Sequence, residues 1–233
     1  KPRASTQWSK MSKQKRKTST KKKPSWEAGP FAVSALDGWR LEMECLTPPD
    51  GLAIKGAVLI THAMMADRRS LKKGGQGLAP TLAKQGWVVF LGDYRGHGGS
   101  GPGPAEGTAW NYDELVQQDF PAMAKAVRDR IGSLPLFFMG HSLGGHVGIA
   151  ATGSGFVDVD PTGHVLLSTN VWADYLEPNP IRRFRKSLAT YSLELLSRPL
   201  GYFPSRLLRV GPCDEAGPYV KALARNWRNG RWI

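Results

Sequence analysis

The sequence predicts an α/β protein built on a mostly parallel central sheet with flanking helices. Three observations carry this. Four short, near-continuous apolar runs, "GAVLITHA", "WVVFLGDY", "LPLFFMG" and "HVLLSTN", have the pattern of strands buried on both faces rather than alternating ones. Segments with helical periodicity lie between them, which is the alternation of a parallel sheet. The chain, at 233 residues with 41% hydrophobic and 22% charged side chains, is long enough to bury one sizeable core.

Taken in order, "FAVSALDGWRLEMECLTPPDG" reads as two strands joined by Asp37-Gly38, a strong hairpin turn. "GAVLITHA" is the first buried parallel strand. "LAPTLAKQG" is a short helix stopped by Gly86. "WVVFLGDYRGHGGSG" is a strand running into a glycine-rich loop. "YDELVQQDFPAMAKAVRDRIG" is an amphipathic helix that Pro121 kinks or splits, because proline has no N–H to give the preceding turn. "LPLFFMG" is the next strand, "HVGIAATG" sits in the helix after it, and "HVLLSTN" is a further strand. From about Val171 the alternation stops. "YLEPNPIRRFRKSLATYSLELLSRPLGYFPSRLLRV" is helical in character, mixing leucine, aromatic and arginine residues. It suits a cap over a pocket, a basic amphipathic surface for lipid, or plain helices packed on the domain.

Charge is unevenly placed. The net charge is +13, yet residues 1–26 hold ten Lys or Arg and no acid, which leaves the rest nearly balanced. "KMSKQKRKTSTKKKPSW" has the composition of a solvated, disordered tail. Any nucleic-acid or anionic-membrane partner is expected only through this tail, and Met11 is a candidate start. No apolar run reaches the roughly 18 residues of a membrane span, and the first residues have no apolar signal-peptide core. Cys45 and Cys213 have no metal-ligand spacing and suit free thiols in a reducing, cytoplasmic compartment. No cofactor or metal is predicted. The expected organisation is a basic tail (1–26), a core (27–170) and a helical cap region (171–233).

The informative motif is Gly140-His141-Ser142-Leu143-Gly144, after a buried strand and at the start of a helix. This is the context of a nucleophile elbow. Ser142 sits on a strained turn that lifts its hydroxyl above the sheet. Gly140 and Gly144 let strand and helix approach. The Leu143 N–H points to where an oxyanion forms, at the positive end of the helix.

Together, "VLITHAMMADRRS", "GWVVFLGDYRGHGGSG" and "GHSLGGHVG", in that order, resemble the α/β-hydrolase family, most closely its esterase, lipase and serine-aminopeptidase-like members. The resemblance covers roughly residues 30–233, and the late "RVGPCDEAGPYVKALARNWRNGRW" is similar to the segment that ends the cap in some members. It implies a serine hydrolase cleaving an ester, thioester or amide of an apolar acyl substrate through an acyl-enzyme on Ser142. The turn His62-Ala63-Met64 replaces the family's His-Gly-x, so the second oxyanion donor is the N–H of Met64 or Ala63.

A serine needs a general base, and the family order is Ser, acid, His. The five histidines fit poorly. His62 and His97 precede the serine and suit turn and loop structure. His141 adjoins it and points away. His146 packs on the helix, and His164 begins a strand far from the site. Among the acids, Asp174 follows the last visible strand, and Asp93 suits a structural role. The resemblance therefore places the last strands of the sheet, with the triad acid and histidine, past Ile233. On that reading the 233-residue chain is C-terminally truncated and poorly active. Two alternatives stand beside it. One is a non-catalytic binding protein on the same scaffold, and the other is an adaptor acting through the basic tail.

Overall fold

The computed structural model describes residues 26–170 and 172–230. The basic tail falls outside the described residues except for Trp26. Strands β1 (Gly29–Ser34) and β2 (Arg40–Leu46) form the expected hairpin, closed by the Ala35 N–H on the Trp39 carbonyl at 2.9 Å. Strand β3 (Gly56–Thr61) is buried throughout, as its unbroken apolar run requires. Helix α1 (Leu78–Lys84) leads into β4 (Trp87–Gly92).

The next helical segment is split, as Pro121 predicts. Helix α2 (Tyr112–Glu114) passes through a π-helical turn (Leu115–Asp119) into α3 (Phe120–Ile131). Pro121 cannot donate to the Gln117 carbonyl, and the widened turn falls at that point. The same turn aims the buried Asp119 at Arg95. The Arg95 guanidinium donates to it at 2.8 and 2.6 Å and its backbone N–H at 3.0 Å, so the glycine-rich loop is tied to the helix.

Strand β5 (Leu136–His141), α4 (Leu143–Gly153) and β6 (Gly163–Leu167) complete the alternation. The six-stranded sheet has the order β1-β2-β4-β3-β5-β6. It is parallel across β4, β3, β5 and β6, and antiparallel only at the β1–β2–β4 side. One apolar cluster, with Phe90, Phe120, Phe138 and Val147, fills one face. A smaller one, with Val58, Ile60, Val89 and Leu91, fills the other beneath α1.

Past residue 172 the chain forms α5 (Pro180–Ser197), a short antiparallel pair β7 (Tyr202–Phe203) and β8 (Glu215–Ala216), and α6 (Gly217–Asn229). The two short strands correct the expectation of helix alone, because two residues are too few to show a period of two. Tyr219, Val220, Leu223 and Trp227 of α6 are buried. Cys45 and Cys213 are both buried and free. Burial pushes their thiols up, to about 12 and about 11.

Candidate active site

Ser142 occupies the corner between β5 and α4 with φ 51° and ψ −110°, a backbone conformation that side-chain-bearing residues rarely adopt. Its neighbours show why glycine flanks it. A Cβ on Gly140 would lie 2.0 Å from the Gly145 N, and one on Gly144 would lie 2.5 Å from the Thr61 carbonyl oxygen. Either contact would push α4 off the sheet. The corner is anchored by the Ser142 N–H on the Leu167 carbonyl at 2.8 Å and by the His146 N–H on the Ser142 carbonyl at 3.2 Å.

Across from this corner, the turn after β3 carries Met64. Met64, Ser142, Leu143, His146, Tyr219 and Leu223 share one small cleft of about 40 Å³ with Asn170 and Trp172. Neither the Met64 nor the Leu143 N–H donates to a protein acceptor among the described residues. The Met65 N–H, by contrast, is taken by a Glu215 carboxylate oxygen at 2.5 Å. The Met65 carbonyl accepts from the Cys213 N–H at 3.2 Å. Met65 has φ 58° and is clamped on both sides by the segment leading into α6. A Cβ on Gly211 would lie 2.5 Å from the Met65 carbonyl oxygen, so only glycine admits this approach.

The histidines separate clearly. His62 is buried. Its Nε2 accepts the Tyr94 N–H at 3.1 Å, so its Nδ1 carries the proton facing the Ala63 carbonyl at 2.8 Å. Burial, with His97 beside it, lowers its pKa to about 3. His97 has a carbonyl acceptor on Nδ1 (Arg95, 2.9 Å) and Glu215 on Nε2 (3.1 Å), an arrangement that the doubly protonated ring satisfies. Burial opposes that charge and Glu215 outweighs it, so the His97 pKa lies above the ordinary value.

His146, expected merely to pack on its helix, instead lines the Ser142 cleft. Its Nδ1 meets the Tyr112 hydroxyl at 2.5 Å. Burial lowers its pKa to about 4, so it is neutral at pH 7. His164 stands at the start of β6, and His141 ends β5 beside the serine. Neither of the two acids weighed from the sequence lines the cleft. Asp93 is buried against Arg68, whose backbone N–H it accepts at 2.7 Å, and Asp174 pairs with Arg183 at 2.5 Å.

Sequence reasoning singled out Ser142, Leu143 and Met64, and the fold brings all three to one cleft. It did not single out Glu215, Tyr112, Tyr219 or Leu223. Nothing local marks Glu215. An aromatic and a leucine at helical spacing in α6 read equally well as core.

Comparison with known proteins bears on the family and the fold. The hydrolase family model described as "Serine aminopeptidase, S33" matches residues 53–205. Triacylglycerol lipase 2 of Arabidopsis thaliana is 33% identical over 141 residues, covering 54% of this chain and 34% of its own length. Lipase member K of Mus musculus is 30% identical over 100 residues, covering 40% and 25%. The chain spans about a quarter to a third of the length of these curated relatives. In fold it is similar to a soluble variant of monoglyceride lipase from Saccharomyces cerevisiae, with TM-score 0.61, 17% identity, and 88% and 70% of the two chains covered. It is also similar to an esterase of Pyrococcus furiosus, with TM-score 0.53, 19% identity, and 89% and 64% covered.

Proposed function

We propose, from the premise that this chain belongs to the serine aminopeptidase (S33) family of α/β hydrolases, that it is a serine hydrolase whose nucleophile is Ser142. Its substrate would be an ester, thioester or amide with an apolar acyl group. The observation that carries this is the strained Ser142 corner, which shares one cleft with Leu143 and Met64, whose backbone N–H groups have no protein acceptor among the described residues. In this mechanism the Ser142 Oγ attacks the carbonyl carbon while a general base takes its proton. The oxyanion is held by the Leu143 N–H at the start of α4 and by the Met64 N–H. The leaving group departs with a proton from the base, and water then cleaves the acyl-enzyme. Met64 lines the Ser142 cleft and Ala63 does not, so Met64 is favoured over Ala63 as the second donor.

The acid and the histidine of the triad are assigned to residues after Ile233. Support comes from the histidines that are described. His62 and His97 have both ring nitrogens engaged, and His146 holds Tyr112. Residues 171–233 are read as a cap, since Trp172, Tyr219 and Leu223 close the cleft over Ser142. The relatives named as lipases support an apolar ester over an amide. A reducing, cytoplasmic setting suits the two buried free thiols.

The alternative is a binding protein on the same scaffold. A fluorophosphonate probe separates the two. Labelling of Ser142 that disappears in Ser142→Ala supports the hydrolase. Labelling that survives the substitution would place the nucleophile at another residue, and none on the natural full-length protein leaves the binding protein.

A further inference from the structure

Tyr219 brings a polar group to the Ser142 cleft that the chemistry described above leaves unused. Its side chain lines the cleft with Ser142, Met64 and Leu143, and the residue is only 1% exposed. Its hydroxyl makes no hydrogen bond among the described residues. A buried polar group without a partner costs about 1–3 kcal/mol. In a folded protein such a group points to a ligand atom that completes the bond. The neighbouring side chains do not complete it. Glu215 has Oε1 on the Met65 N–H at 2.5 Å and on His97 Nε2 at 3.1 Å, while its Oε2 has no hydrogen-bond partner. His146 meets the Tyr112 hydroxyl through Nδ1 at 2.5 Å.

The ring is held in place from both ends of its segment. Helix α6 opens at Gly217, whose N–H donates to the Gly201 carbonyl at 3.1 Å. A Cβ there would lie 2.2 Å from that same oxygen, so only glycine lets the helix begin so close to the β7 turn. Farther along, Val220, Leu223 and Trp227 are buried and fix the helix on its apolar face. The stretch just before the helix also grips Met65, through the Glu215 carboxylate and the Cys213 N–H. One segment therefore sets both the turn that bears Met64 and the Tyr219 ring. Burial, with the Glu215 charge nearby, holds the Tyr219 pKa well above the ordinary tyrosine value. The hydroxyl keeps its proton at pH 7 and is a donor. A fixed donor in a desolvated cleft stabilises negative charge that develops beside it.

We propose that Tyr219 is a further catalytic residue, whose hydroxyl donates a hydrogen bond to the substrate carbonyl oxygen as Ser142 attacks, beside the N–H groups of Leu143 and Met64. No proton leaves the tyrosine. As the Oγ–C bond forms, the carbonyl π pair moves onto the oxygen that Tyr219 holds, and it returns when the leaving group departs. This rests on the reading of Ser142 as a nucleophile, and it makes α6 part of the reaction site as well as its cover.

The test is Tyr219→Phe in the natural full-length protein, which keeps the ring and removes only the hydroxyl. The first readout is the rate of fluorophosphonate labelling at Ser142, where the phosphoryl oxygen takes the place of the carbonyl oxygen and no known substrate is needed. The second is hydrolysis of 4-nitrophenyl butyrate and ethyl butyrate. Labelling is expected to slow, and kcat to fall about a hundredfold on both esters with KM little changed. The melting temperature should not fall, because a buried hydroxyl without a partner adds nothing to the fold. Labelling of Tyr219→Phe at the wild-type rate overturns the assignment. So does a loss confined to ethyl butyrate, which would put the hydroxyl on the leaving oxygen, since nitrophenolate departs without a proton. A rate loss matched by a lower melting temperature would make the hydroxyl structural. If Ser142 of the wild type is not labelled at all, the reading of Ser142 fails first and this assignment falls with it.

Discussion

Glu215 accepts the Met65 N–H at 2.5 Å across 150 residues of sequence, and the same oxygen faces His97 Nε2 at 3.1 Å. One carboxylate thus holds a left-handed residue of the turn after β3 and a buried imidazole of the glycine-rich loop. Removing it leaves the Met65 N–H without its acceptor and a buried ring without its counter-charge. Breaking such a buried pair costs about 3–5 kcal/mol. Glu215→Ala is expected to lower the melting temperature by roughly 2–4 °C per kcal/mol lost. Fluorophosphonate labelling of Ser142 should slow with it, because Met64 is adjacent. Glu215→Gln, which keeps an acceptor for Met65, should recover part of the labelling rate. A Glu215→Ala protein that labels at the wild-type rate would show that the clamp does not position Met64.

Acid should destabilise the protein through His62. Its pKa is about 3 in the folded protein and 6.5 by default, so the unfolded chain takes up a proton that the folded chain refuses. Stability from this group is therefore lost as pH falls below 6.5, on the order of 3 kcal/mol by about pH 4. His97 runs the other way. Its raised pKa gives stability that is fully present below pH 6.5 and lost as pH rises through the folded value. Denaturant unfolding across this range, with His62→Gln as control, reads the first effect as a difference in slope. Equal slopes would refute it.

The strain at Ser142 should be measurable as stability. A residue held at φ 51° and ψ −110° costs of order 1–3 kcal/mol, and glycine escapes most of that. Ser142→Gly is expected to be more stable than Ser142→Ala by about 1 kcal/mol, with labelling abolished in both. Ser142→Gly at or below the stability of Ser142→Ala would mean that the corner is not strained.

Glycines of α4 and its corner should divide by contact, not by residue type. Gly144→Ala meets the Thr61 backbone at 2.5 Å and Gly140→Ala meets the Gly145 backbone at 2.0 Å, so each should cost at least about 1–3 kcal/mol. At Gly153, in the same helix, an added methyl group would have nothing within 4 Å, so Gly153→Ala should be neutral or stabilising by up to about 1 kcal/mol. Thermal melts of the three variants give the ranking directly, and a Gly153→Ala protein as unstable as Gly144→Ala would contradict it.

Much of the architecture was legible locally. Unbroken apolar runs marked β3, β4 and β5, and the Asp37-Gly38 turn marked the β1–β2 hairpin. Pro121 marked the interruption of the long helix, because a missing N–H acts on its own turn. The strand–Gly-x-Ser-x-Gly–helix order likewise marked Ser142 and Leu143, since the corner is shaped by residues within two positions of it. These features arise from backbone chemistry and side-chain period, which need no distant partner.

What only the tertiary structure decided lies in contacts between remote segments. Glu215 reads as one more acid before a helix until the fold sets it against Met65 and His97, and His146 reads as packing until Tyr112 and Ser142 are seen around it. The spacing of Ile181, Phe184, Leu188, Tyr191 and Leu195 determined an apolar face on α5, but not that the face points away from the protein. Periodicity fixes which residues share a side of a helix. Which side meets the core depends on the competing surfaces that the rest of the chain presents, and here Trp227 and its neighbours took the polar one.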